Sequence, residues 1–168
     1  MLKKYAWVLG GNTHLGKHVI KLLKKKSISA RWKTLSIDYE ANLEANENHI
    51  LDPTDSLLDQ TEKAFEKAKK WAEEYDAIIV ARSEGDFQTS NIKDISIFEK
   101  YEKLWETNTY TSMMAARIAG QLMAPCGLMM LHSSQEAFEK TNPNNLAVNL
   151  SKMEVWAIAS NIAELKEV

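Results

Sequence analysis

The stretch YAWVLGGNTHLGKHVIKLLKKK, residues 5–26, has the order of a buried strand, a glycine-bearing turn and a helix. Residues 5–9 are mostly apolar, and residues 15–26 place apolar side chains on one helical face and lysines on the other. Gly10 and Gly16 stand where such a turn must be tight and where the helix must pack on the strand. The stretch therefore predicts the first strand and helix of an α/β domain of the nucleotide-binding type.

Short apolar runs alternate with helical patterns along the rest of the chain. Further strands are predicted at residues 32–37, 49–51, 77–81 and 128–131, and further helices at residues 55–75, 97–123 and 147–165. Apolar strands separated by helices indicate a parallel sheet that is covered on both faces. We predict a single α/β domain over residues 1–168, a doubly wound, Rossmann-like sheet of about five strands in the order 3-2-1-4-5.

The composition is that of a globular protein, with 168 residues, 45% hydrophobic and 26% charged side chains. The net charge of −2 gives no general attraction to nucleic acid or to an anionic membrane. We expect no membrane insertion, because no apolar run is long enough to cross a bilayer. The lone Cys126 excludes an internal disulfide, and we expect no targeting segment, because the first strand is predicted to begin close to residue 1. We expect an intracellular, cytoplasmic protein, and no metal-ligand spacing is visible.

Several stretches, in chain order, together resemble the short-chain dehydrogenases/reductases, and most closely the dihydropteridine reductases. They are VLGGNTHLGKHVI (8–20), LSIDYEAN (35–42), PTDS (53–56), LWETNTYTSMMAA (104–116), LMMLHSSQEAFEKTNP (128–143) and NLSKMEVW (149–156). The resemblance implies the fold predicted above and the NADH-dependent reduction of a quinonoid dihydropterin. It also implies a catalytic tyrosine and, four residues later, a lysine on the last helix.

The resemblance implies an NAD(H) site near the first turn. Its residues would be Gly10, Gly11, Thr13, Leu15, Gly16, Asp38, Asp55, Ala81, Asn108 and Lys152. Asp38 follows the second strand, where a carboxylate suits the adenosine 2′-hydroxyl and hence NAD rather than NADP. Thr13 replaces the middle glycine and adds bulk where a pyrophosphate would pass, although its hydroxyl and N–H could bind an oxygen. The alternative is a turn that keeps glycine only for geometry and packing.

The fourth strand ends in ARSEGD, residues 81–86, where the resembled family has glycines. Arg82 would point into the crevice at the carboxyl ends of the strands. Its guanidinium could bind a phosphate or a carboxylate, or it could fill the space that the cofactor needs. Gly85 keeps some backbone freedom, but at a different place.

The catalytic position of the resembled family departs from its pattern here. A tyrosine and a lysine four residues apart lie on one helix face, and the lysine lowers the pKa of the phenol. Lys152 matches, but Val148 stands where the tyrosine belongs. His132, Ser133 and Ser134 are the nearby substitutes. Because general acid catalysis contributes about 10²–10⁴-fold, its loss points away from turnover.

Two features predict a protein partner or a homo-oligomer. The resembled family continues into further strands, so we expect the edge of strand 128–131 to need a cover. Helix 97–123 carries a smooth face of Ala115, Ala116, Ala119 and Gly120, and helix 147–165 is apolar around much of its circumference. In the resembled family these two helices pair across a two-fold axis.

Three hypotheses follow from these residues. The first is a degenerate dihydropteridine-reductase-like protein without catalysis, which serves as a structural or accessory subunit of an assembly. The second is an NADH-dependent dihydropteridine reductase or related oxidoreductase. The third is a module that binds NAD(H) without reacting. Val148, Arg82 and Thr13 favour the first, whereas Asp38, Asn108 and Lys152 keep the others open.

Overall fold

Five parallel strands form one sheet in the order β3-β2-β1-β4-β5, as predicted. The computed structural model describes residues 2–25, 30–82, 91–139 and 143–164. The strands are β1 (Leu2–Leu9), β2 (Ala30–Asp38), β3 (Glu47–Ile50), β4 (Tyr75–Val80) and β5 (Met123–Met130). The helices are α1 (His14–Lys24), α2 (Leu57–Trp71), α3 (Ile97–Leu104), α4 (Thr111–Leu122), α5 (Glu136–Glu139) and α6 (Leu146–Ala163). One turn of π-helix (Trp105–Tyr110) joins α3 to α4.

The sheet buries both of its faces, which explains why its inner strands are apolar without alternation. On one face, Ala6 and Val8 of β1 pack with Ile20 of α1. On the other, Trp7 and Leu9 join a larger core supplied by α2 and α4. Because the strands are parallel, the ends of β1, β2, β3 and β4 meet at one edge of the sheet, where the candidate site lies.

Three predicted boundaries are wrong. Tyr75 begins β4 instead of ending α2, and its buried hydroxyl donates to the Ala68 carbonyl oxygen at 2.9 Å. β5 begins at Met123, and its early residues depart from regular pairing, with Cys126 in the left-handed region at φ 62°. Pro125 is accommodated there because β5 is an edge strand, where a missing N–H costs no ladder bond. The third error is the single helix over residues 97–123, which the π-helical turn interrupts.

The prediction that the small residues of α4 form an exposed, smooth face is also largely wrong. Ala115 and Ala119 are buried in the core of this chain, beside Met114 and Ile118. Gly120 is exposed and has open space around its Cα. The small residues of α4 therefore serve mainly the packing of the helix on its own sheet. The predicted ends of the last helix at residue 165 and of the first at residue 26, and Gly85, lie outside the described residues.

Candidate functional site

The first turn needs its glycines for close packing. Gly10 has φ +77°, and a Cβ there would stand 2.7 Å from the backbone nitrogen of Arg82. A Cβ on Gly16 would collide with the carbonyl oxygen of Gly10, and one on Gly11 would collide with the hydroxyl of Ser36. The turn and packing roles predicted for Gly10 and Gly16 are therefore confirmed, while their role in cofactor binding stays a prediction.

Thr13 caps α1. Its hydroxyl oxygen accepts from the Gly16 N–H at 3.0 Å and lies 2.7 Å from the Gly10 carbonyl oxygen and 3.0 Å from that of Ala81. One N–H at the start of α1 is thus already satisfied within the chain, where a pyrophosphate oxygen could otherwise bind. The hydroxyl also joins the turn to the end of β4. Leu15, beyond the cap, is partly exposed at 39%.

Asp38 lies at the end of β2, buried, with both carboxylate oxygens engaged. One oxygen accepts from the Asn12 N–H at 2.9 Å, and the other accepts from the Tyr39 N–H at 2.8 Å. The second oxygen also lies 3.4 Å from Nη1 of Arg82. The guanidinium of Arg82 lies over the Tyr39 ring, 4.8 Å from its centroid. The sequence pointed to Asp38 and Arg82 separately, and the structure brings them together.

The loop after β2 fastens itself to the first turn. Asn42 is buried and donates through Nδ2 to the Gly11 carbonyl oxygen at 2.6 Å. The side chain of Asn12 donates to Glu40 at 2.9 Å. Sequence reasoning missed the roles of Tyr39 and Asn42. Their signal was the asparagine in DYEAN, a residue type that commonly bonds to nearby backbone in turns.

A cavity of about 130 Å³ opens beside Arg82 at the ends of the strands. Apolar side chains of Leu9, Leu51, Leu57 and Met114 form much of its wall. Asp55, predicted to lie near a cofactor, is not part of that wall, and its carboxylate is held by Lys63 at 2.6 Å. The cap of α2 is the hydroxyl of Ser56, which accepts from the Asp59 N–H at 3.1 Å.

Lys152 and Asn108 form the second half of the site. Nζ of Lys152 lies 3.4 Å from Oδ1 of Asn108 and 3.3 Å from the His132 carbonyl oxygen. Asn108 Nδ2 donates to the Ser151 hydroxyl at 3.0 Å. Burial lowers the pKa of Lys152 to about 8. Burial, and then the charge of Lys152, also lower the pKa of His132.

The π-helical turn positions Asn108. Two hydroxyls of α4 donate to carbonyl oxygens of this turn. Thr111 donates to the Thr107 carbonyl oxygen at 2.6 Å, and Ser112 donates to that of Asn108 at 2.7 Å. The side chain of Asn108 points from this turn toward α6, where it contacts Ser151 and Lys152. This device was invisible in the sequence, because threonine and serine suit many local structures.

Val148 lies one helical turn before Lys152 on α6, partly buried. The tyrosines of the neighbouring helical segment are engaged elsewhere: Tyr101 donates to Glu154, and Tyr110 pairs with Thr61 at 2.8 Å. Ser133, a predicted substitute, donates to the Lys152 carbonyl oxygen at 2.8 Å, so its proton serves the packing of α6. Among the described residues, Lys152 and Asn108 therefore lie together with the alkyl side chain of Val148 one turn away and no tyrosine hydroxyl bonded to them.

An apolar groove of about 460 Å³ runs between β5 and the end of α6. Met129, Met130 and Leu131 line it on one side, and Ala159 and Ile162 line it on the other. Within the described ranges, no helix has the length and apolar content to cross a membrane, and no cluster of three metal-ligating side chains occurs.

Comparison with known proteins agrees with the geometry. The chain is 27% identical over 141 residues to a dihydropteridine reductase of Dictyostelium discoideum, covering 84% of this chain and 58% of that protein. A short-chain dehydrogenase family protein of Francisella tularensis superposes with a TM-score of 0.79 at 20% identity, covering 96% of this chain and 63% of the other. An aldohexose dehydrogenase of Thermoplasma acidophilum gives a TM-score of 0.76 at 18% identity, covering 96% and 61%.

The chain thus spans about three fifths of the length of these relatives. No protein-family model matches it. The chain is thus similar in sequence to a dihydropteridine reductase and has the fold of these short-chain dehydrogenases, in agreement with the resemblance stated above.

Proposed function

We propose that the chain is a degenerate dihydropteridine-reductase-like protein that does not catalyse and acts as a structural or accessory subunit of a protein assembly. The observation that carries the proposal is Val148, one turn before Lys152. Reduction of an imine or carbonyl needs a proton at the reacting atom, and an alkyl side chain has none to give. Lys152 and Asn108 are retained, but they prepare a phenol that is missing from this position.

The surface of α6 supports the accessory role. Leu150, Met153 and Trp156 are 42%, 47% and 57% exposed on this helix, and Phe138 of α5 packs against the Trp156 ring. A cluster of large exposed apolar side chains marks a surface that another protein covers. The groove beside β5 is a further apolar surface that includes residues of α6.

The second candidate function is an NADH-dependent reductase, and the Lys152–Asn108 contact favours it. The two residues keep the arrangement in which a lysine could hold a cofactor ribose. A third candidate, NAD(H) binding without reaction, draws on the same contact and on Asp38.

An assay of NADH oxidation with quinonoid dihydropterin tests the proposal. We expect the purified chain to show no pterin-dependent oxidation above the uncatalysed rate at millimolar NADH. Turnover at rates of an ordinary enzyme, about 1–10³ s⁻¹, would establish the reductase and overturn the proposal.

Val148→Tyr is the sharper test, with Val148→Phe as its matched control. The two variants add the same ring to the same turn of α6, and only the tyrosine supplies a proton. We expect Val148→Tyr to raise the NADH oxidation rate over Val148→Phe, by up to about 10²–10⁴-fold. Equal rates for the two variants would mean that the missing phenol is not what separates this site from a working one.

A further inference from the structure

We propose that Arg82 keeps an adenosine ribose out of the crevice, because its guanidinium occupies the side of the Asp38 carboxylate that a ribose hydroxyl would need. The inference rests on the proposed function, because both concern ligands of the same crevice. It adds a named residue that determines which ligands enter.

The contacts of Asp38 carry the first step. A carboxylate can accept about four hydrogen bonds. The N–H groups of Asn12 and Tyr39 take two of these positions, at 2.9 and 2.8 Å. The guanidinium of Arg82 stands 3.4 Å from the same oxygen that Tyr39 contacts. Arg82 therefore covers one of the two acceptor positions that the N–H groups leave open, the one on the oxygen that Tyr39 contacts.

Arg82 is held on both sides. Its guanidinium stacks over the ring of Tyr39, whose hydroxyl donates to Gln60 at 3.2 Å and so fixes the ring. Its backbone is in close contact with Gly10, which has no side chain to push it away. Arginine suits this place because a planar guanidinium can stack and pair with a carboxylate at once.

A ribose can bind Asp38 only after this contact opens. If the open state is a minor one, populated at roughly 1–10%, the apparent affinity for a dinucleotide falls by the inverse of that fraction, roughly 10- to 100-fold. A 2′-phosphate gains little from the same arginine, since the carboxylate of Asp38 lies 3.4 Å from it and would repel a second anion. The geometry thus disfavours both NADH and NADPH.

Titration of the full chain with NADH, followed by nicotinamide fluorescence and by calorimetry, tests this role. We expect Arg82→Ala to tighten NADH binding by roughly 10- to 100-fold over the unmodified chain. Arg82→Lys should have a smaller effect, because it keeps the charge and loses the stacking. Arg117→Ala is the matched control, since Arg117 also lies over an aromatic ring, Phe65, and near a carboxylate, Glu62, but on α4 outside the crevice.

Circular dichroism establishes that each variant is folded, and Arg82→Gln replaces Arg82→Ala in the titration if the alanine variant is not. No tightening in the folded variant would overturn the role of Arg82. So would NADPH binding to the unmodified chain that is tighter than NADH binding and is lost in Arg82→Ala. Neither result bears on the proposed loss of catalysis, which only pterin-dependent turnover by the unmodified chain would overturn.

Discussion

Lys152 is a buried charge within the candidate site. Its ammonium group is buried beside Asn108 and the His132 carbonyl, with Val148 one turn away. Burial makes the charged form costly, which lowers the pKa of Lys152 to about 8 from an ordinary value of 10.5. The folded chain therefore bears this cost at neutral pH.

The pH dependence of stability should reveal this cost. Between pH 8 and 10.5 the unfolded chain binds more protons at Lys152 than the folded chain, so this residue makes the free energy of unfolding rise with pH. The shift corresponds to on the order of 3 kcal/mol. We expect the stability difference between Lys152→Met and the unmodified chain to change by about 2–3 kcal/mol from pH 7 to pH 10, in urea titrations. The free energy of unfolding of Lys152→Met, relative to that of the unmodified chain, should be highest at pH 7.

The stability measurements should end at pH 10, because burial, and then the bond to Glu154, raise the pKa of Tyr101 to about 12. Above pH 10 the tyrosines of the unfolded chain ionise first, which lowers stability as pH rises. Lys70→Met, which removes an exposed ammonium on α2, is the control. Parallel stability profiles for Lys152→Met and the unmodified chain would refute the buried charge.

Residue types alone pointed to most of the individual site residues, but not to their partners. Asp38, Asn108 and Lys152 are visible in the sequence because they match the pattern of the resembled family, and Arg82 and Val148 are visible because they depart from it. The pairing of Asp38 with Arg82 depends on how far a flexible side chain reaches across three strands. Side-chain reach of this kind leaves no periodic pattern to read.

At the scale of elements, the unit of β1, the first turn and α1 depends on close backbone contacts that only glycine allows. Gly16 lies at the point where α1 meets the first turn, and the atoms against its Cα are backbone atoms that cannot move aside. Thr13 was predicted to add bulk at the position of the middle glycine. In the structure it is the N-cap of α1, and its hydroxyl accepts from the Gly16 N–H.

Two glycine substitutions with opposite signs follow. Gly16→Ala should destabilise the fold by about 1–3 kcal/mol or more, because its Cβ meets the backbone of Gly10 and Gly11. Gly120→Ala should stabilise it by about 0.4–1 kcal/mol, since this helical position has open space and alanine restricts the unfolded chain. Urea unfolding followed by circular dichroism measures both. A destabilising Gly120→Ala would mean that the space beside α4 is occupied.

Element types were predictable and their junctions were not. The helical pattern over residues 97–123 concealed the π-helical turn, because no residue type in it distinguishes i→i+5 from i→i+4 hydrogen bonds. The β5 boundary was missed since Pro125 and Gly127 signal a loop, whereas an edge strand tolerates both.

At the scale of the whole molecule, the sheet order was predictable from the alternation of strands and helices together with the common order of doubly wound sheets. Strands joined by helices must be parallel, and right-handed crossovers leave few orders to choose from. Connectivity does not predict whether the edge strands are exposed or covered. β5 is one edge of the sheet, and Leu128 on it is 61% exposed.

We expect the purified chain to self-associate through the side formed by β5 and α6. Leu128→Lys should weaken this association about tenfold or more, since a charge would be buried without a partner. Leu58→Lys is the control, because Leu58 is 66% exposed on α2, away from this side. Sedimentation velocity over a range of concentrations measures both. A chain that stays monomeric at every concentration would contradict the expectation.

The two edges of the sheet are unlike each other. β3 is only four residues long and carries Glu47, Asn48 and His49, whereas β5 is twice as long and carries four methionine or leucine side chains. A short, polar edge is a poor template for another strand. If copies join edge to edge, each therefore has one edge strand that can pair, β5, and one that pairs poorly, β3. Such growth closes after two copies, and the sheet avoids the open-ended stacking that leads to fibres.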